Sequence, residues 1–102
     1  MADTTLTGGM TATEALSTSY LGSGSRYVIR GARRVTVNLD DYTVGFTVQI
    51  TEKNPGGAGT ATEEHVNAGG GFEHAMGLGE ACYLDVKADS GTPDAQIRVN
   101  RS

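Results

Sequence analysis

The sequence predicts an all-β protein: a single-domain antiparallel β-sandwich, Ig-like or jelly-roll-like, of about seven to eight short strands behind an N-terminal arm. Three observations carry this. Fifteen glycines and thirteen threonines supply more than a quarter of the 102 residues while leucine and lysine are scarce, which disfavours long helices. Apolar residues make up only 37%, yet they fall in short runs that alternate with polar ones, as half-buried strands do. The runs recur at intervals of about ten residues with turn formers between them, which is sandwich spacing and not βαβ spacing. At this length folding buries roughly two thirds of the chain's surface, enough for one modest core.

Residues 1–22 read as an arm or edge segment ahead of a sandwich domain over 23–102. Thr11 and Glu14 have capping-box spacing and Leu16 with Tyr20 would share a helical face, but Ser17-Thr18-Ser19 is a poor helix interior, so an extended segment is favoured. Over residues 26–30, Tyr27 and Ile29 oppose Val28, and Gly31-Ala32 makes a bend or bulge. Residues 34–39 alternate next. In residues 43–51, Val44, Phe46, Val48 and Ile50 take one face and Thr43, Thr47, Gln49 and Thr51 the other. The trio Asp40-Asp41-Tyr42 between these two runs predicts a hairpin.

Asn54-Pro55-Gly56-Gly57 then reads as a turn, residues 60–66 as a weak polar strand, and Ala68-Gly69-Gly70-Gly71 as a flexible joint before 72–76. Residues 81–88 set Cys82, Leu84 and Val86 against Tyr83, Asp85 and Lys87. The turn formers of 89–94 lead into 95–100, where Ala95, Ile97 and Val99 alternate with Gln96, Arg98 and Asn100, so a closing hairpin is expected.

The formal net charge of −4 and a pI near 4.9 argue against general affinity for nucleic acid or anionic lipid, and no apolar run approaches the roughly 18 residues of a membrane span. Residues 1–10 show no basic stretch followed by an apolar one, so no secretory signal is read there and cytosolic synthesis is expected. Cys82 is the lone cysteine at an inward position, hence an inert buried thiol with no disulfide or Cys-rich metal site.

His65 and His74 are the only histidine bases, and with Glu63 and Glu73 they form the one zinc-type set available. Eight residues, three of them consecutive glycines, lie between them, without a His-x-His spacing, so they read as solvated strand side chains. They become neighbours only if residues 68–71 close a hairpin. Asp40, Asp41, Asp85, Asp89 and Asp94 lack the dense spacing of a calcium loop and read as ordinary turn or strand acids. Neither Gly69-Gly70-Gly71-Phe72 nor Gly77-Leu78-Gly79-Glu80 lies between a buried strand and a helix, as a phosphate loop must. No cofactor and no catalytic constellation is therefore expected.

The charge pattern is more distinctive. Arg26, Arg30, Arg33 and Arg34 form a run with no acid between Ala15 and Leu39. The even-numbered three share a strand face if the Gly31 bend preserves register. With Tyr20 they are the interface candidates, suited to carboxylates on a partner.

The leader 1–13, the paired runs Arg33-Arg34-Val35-Thr36-Val37-Asn38-Leu39 and Val44-Gly45-Phe46-Thr47-Val48-Gln49-Ile50-Thr51, and the ending over 81–87 and 95–99 together resemble small all-β structural proteins of tailed bacteriophages, such as head-decoration and tail-associated sandwich domains. The resemblance covers most of the chain through pattern and not through signature residues, so no residue role is carried over. It implies a non-enzymatic virion protein, made in the host cytoplasm, that docks on a capsid or tail protein lattice or on further copies of itself, without cofactor, nucleic acid or membrane. The alternative is a carbohydrate-binding or adhesion module. Such modules grip sugars with aromatic platforms, for which Tyr20, Tyr42 and Tyr83 are the candidates here.

Overall fold

Strand alternation governs the whole backbone. In the computed structural model the described residues, 3–22, 24–52, 59–77 and 79–101, form nine strands and no helix. The Asn54-Pro55-Gly56-Gly57 turn lies outside them. Strands β1 (Thr4–Thr7), β3 (Tyr27–Arg30), β8 (Ala81–Ala88), β5 (Phe46–Glu52) and β6 (Ala61–Val66) make a five-stranded sheet in that spatial order. The second sheet has four strands in the order β2 (Thr11–Ala15), β9 (Asp94–Asn100), β4 (Arg34–Leu39) and β7 (Phe72–Ala75). Every pairing is antiparallel except β1 with β3.

The inner faces meet as the alternation dictates. Ile29, Val35, Val37, Val48, Leu84, Val86, Ala95 and Ile97 are completely buried, and Phe46 and Cys82 lie among them. Val44, expected inside the strand, precedes it and is only half-buried. The single-domain β-sandwich is thus the fold of the chain, with two more strands than the seven the core runs define, both from the leader.

That leader is where the structure differs from a free arm. β1 pairs with β3 and β2 with β9, so the chain contributes an edge strand to each sheet within its first fifteen residues. Leu6 and Leu16, at 3% and 2% exposure, bury their side chains in the core and give the segment its own reason to order. Residues 17–22 and 24–26 then form a strap over the outer face of the five-stranded sheet. Ala88 N–H donates to the Ser17 carbonyl, and the Asp85 carboxylate accepts from the N–H groups of Leu21 (2.7 Å) and Gly22 (2.9 Å).

Neither expected hairpin forms. β4 lies in the four-stranded sheet between β9 and β7, and β5 in the other between β8 and β6, so residues 40–45 cross from sheet to sheet. Asp40 makes this crossing, exchanging backbone and side-chain hydrogen bonds with Asp94. Gly45 completes it, because a Cβ there would stand 2.6 Å from Asp89 Oδ2 and 2.9 Å from the Val66 carbonyl. Residues 89–93 likewise carry the chain from β8 in one sheet to β9 in the other. Alternation identifies a strand with one wet face, but both sheets offer such a place, so it leaves the partner open.

Candidate functional site

The arginine run does not lie on one face. Val35, Val37 and Leu39 point inward from β4, which puts Arg34 on the outer face of the four-stranded sheet, whereas Arg26 and Arg30 share the outer face of the other sheet with Val28. The Gly31 bend, with φ of 61°, takes the chain between sheets and breaks the register. Arg26 is moreover engaged: its guanidinium lies 3.9 Å from the centre of the Tyr83 ring, and its Nε is 3.7 Å from Asp3 Oδ2.

The fold instead gathers charge at a corner. Thr7 pairs with Arg30, Arg33 N–H donates to the Asn100 carbonyl at 2.8 Å, and Arg34 pairs with Asn100. A Cβ on Gly8 would run into the Arg101 side chain and the Gly31 carbonyl, so this glycine lets three chain segments converge. Exposed Arg30, Arg33, Arg34 and Arg101 surround the corner. Arg34 Nη1 meets Glu73 Oε1 at 3.3 Å, while Glu52 and Glu80 lie at the same end toward β5 and β8. Arg101 is the member that the sequence reading missed. Its signal is the antiparallel register of β9 on β4, which returns the last residues to where β4 begins.

The opposite end is acidic. Asp40, Asp41 and Asp89 lie in its crossings and Asp94 opens β9 beside them. The hydroxyl and N–H of Thr43 donate to Asp41 and hold its carboxyl below the usual range, so it stays ionised in mild acid. His65 Nε2 sits 2.7 Å from Asp89 Oδ2 on this side. From Arg34 to Asp40, six residues of extended chain separate the two charge groups by about 20 Å.

The two histidines belong to different sheets and are not joined by a hairpin, because β6 pairs with β5 and β7 with β4. His74 faces inward from β7, stacked near Phe72 and 3.9 Å from Glu52 Oε1. Glu63 lies beside Gln49 and Glu73 is paired with Arg34. Among the described residues, no three His, Cys, Asp or Glu side chains gather in a metal-binding group. The wall shared by Val48, Ile50, Phe72 and His74 encloses a slot of about 110 Å³ between the sheets.

The tyrosines separate clearly. Tyr20 belongs to the strap and is half-buried, with Lys87 Nζ 4.7 Å from its ring centre; burial first, and then the charges of Glu63 and Asp85, push its hydroxyl up to about 12. Tyr83 lies under Arg26. Tyr42 alone among the three is open, at 72% exposure. Compared with known proteins, the chain matches no family model, no curated protein and no solved structure at a significant level.

Proposed function

We propose that this protein is a non-enzymatic structural subunit of a virion that docks on a repeated capsid or tail protein lattice through its arginine corner. The observation that carries the reading is the segregation of charge along the strands, with Arg30, Arg33, Arg34 and Arg101 at one end and Asp40, Asp41, Asp89 and Asp94 at the other. Guanidinium groups suit such a contact, since each presents a planar fork that pairs with a carboxylate through two hydrogen bonds and fixes orientation as well as charge. A rigid sandwich with both leader strands already ordered loses little conformational freedom on docking.

The test is co-sedimentation with capsid or tail assemblies made from the genes adjoining its own, at rising salt. The parent is expected to bind less tightly as salt rises, because the contact is only partly buried. Combining Arg30→Glu with Arg33→Glu should weaken binding at least tenfold without lowering the melting temperature. Binding by that variant equal to the parent's would overturn this placement of the interface.

A further inference from the structure

The outer face of the four-stranded sheet carries a second, unrelated arrangement. Thr36 lies directly opposite Arg98, and Asn38 opposite Gln96, across the β4–β9 pair. The chain leaving β4 continues through Asp40 to Tyr42, and together these residues line a shallow depression of about 570 Å³. The turn bearing Tyr42 is held on both sides of the ring: Asp41 Oδ1 accepts from Thr43 N–H and hydroxyl, and Val44 N–H donates to the Asp41 carbonyl. A large aromatic side chain is thus presented to solvent by a fixed turn, where its burial contributes nothing to the core.

The polar groups around it have free capacity. The Thr13 hydroxyl donates to Gln96 Oε1, which leaves the amide N–H groups as donors. Asp40 Oδ1 accepts from Asp94 N–H, leaving Oδ2 as an acceptor. Arg98 makes no ion pair among the described residues, and the residues lining the depression include one base, Arg98, and one acid, Asp40. Donors and acceptors therefore alternate on a grid of about 4.8 Å across strands and about 6.8 Å along them.

We infer that this depression is a binding site for a neutral saccharide, with Tyr42 stacked on the apolar face of one sugar ring and Asn38, Asp40, Gln96 and Arg98 hydrogen-bonded to its hydroxyls. A pyranose has the matching chemistry, with C–H groups on one face for the aromatic ring and vicinal hydroxyls at its rim for bidentate amide, carboxylate and guanidinium partners. The balance of one acid and one base selects an uncharged ring over a uronate. This site is independent of the arginine corner, so either can be correct without the other.

The experiment titrates the ¹⁵N-labelled protein with cellohexaose, mannohexaose and chitohexaose, and with a galacturonic acid oligomer as the charged comparison. At least one neutral oligomer is expected to shift amide signals confined to residues 36–42 and 96–98. Tyr42→Ala should weaken that binding about tenfold, the loss expected for one stacking contact, with an unchanged melting temperature. Arg30→Glu should leave it intact. The inference fails if none of the three neutral oligomers binds at millimolar concentration, if Tyr42→Ala binds as the parent does, or if only the galacturonic acid oligomer binds.

Discussion

Asp85 is the residue at which alternation and burial part company. It occupies an outward position on β8 between Tyr83 and Lys87, where a solvated carboxylate is expected, yet it is only 4% exposed. The strap covers it, and the N–H groups of Leu21, Gly22 and Val86 satisfy its oxygens, which is how a buried charge is tolerated. Period-two reading places a side chain on a face but says nothing about what later crosses that face. Cys82 shows the opposite case, for its inward register and flanking Leu84 and Val86 made its burial legible. Burial foremost, and then the charges of Glu52 and Glu80, push its thiol up to about 12. Because the thiolate is the reactive form, the native protein should react with a thiol reagent at pH 8 more than a hundredfold slower than the urea-unfolded chain. The sign of the linked stability effect follows from the raised value: the neutral thiol's contribution is complete below the unfolded value near 9 and is lost as pH rises toward 12. Tyr27, pushed to about 12 by burial and by Glu14, acts in the same direction above pH 10. Native reactivity equal to that of free cysteine would show that the β8 register is wrong.

At the scale of elements, the strands over 27–30, 34–39, 46–52, 81–88 and 94–100 were legible because each pairs a continuous apolar face with a polar one. Their partners were not, since a turn such as Asp40-Asp41-Tyr42 reads alike whether it closes a hairpin or leads to the other sheet. The leader was obscured differently: Thr-rich β1 and β2 carry a single fully inward side chain, Leu6, between them, too little alternation to distinguish an edge strand from an arm. The strands still matter to stability. Each supplies a ladder to an otherwise open edge, and Leu16 closes the acidic end of the core. Deleting residues 1–18 should therefore abolish the cooperative melt or lower its midpoint by more than 10 °C, and Leu16→Ala alone should cost about 2–5 kcal/mol. An arm that orders only against a neighbouring molecule predicts instead that the truncated chain melts with the parent, and that result would show the leader strands to be dispensable.

At the scale of the whole molecule, the consequence of topology is polarity. Four arginines scattered over 72 residues of sequence, from 30 to 101, meet at one corner because β1, β3 and β9 all end where β4 begins, and the aspartates of both sheet crossings meet at the other end. A body with unlike charge at opposite ends of its strands, about 20 Å apart, has a surface that complements itself head to tail, which is a heterologous contact that propagates and does not close on a two-fold axis. Its overall charge of −4 opposes association at long range, so the attraction acts only where a corner and an acidic end approach within about 10 Å, the screening length near 0.1 M salt. Sedimentation equilibrium at low ionic strength should accordingly show a mass that grows with protein concentration and falls to the monomer value near 0.5 M salt. Arg30→Glu with Arg33→Glu cancels the positive charge of the corner, and Asp89→Lys with Asp94→Lys cancels the negative charge of the acidic end; each variant should stay monomeric alone. Mixed in equal amounts they should pair, since the first keeps its acidic end and the second its arginine corner. A general effect of net charge is distinguished by adding lysine exchanges at Glu63 and Glu64 on β6 to the arginine-reversed chain, which returns its overall charge to the parent's without restoring the corner. If that control self-associates as the parent does, or if the parent remains monomeric at low salt, the ends do not recognise each other.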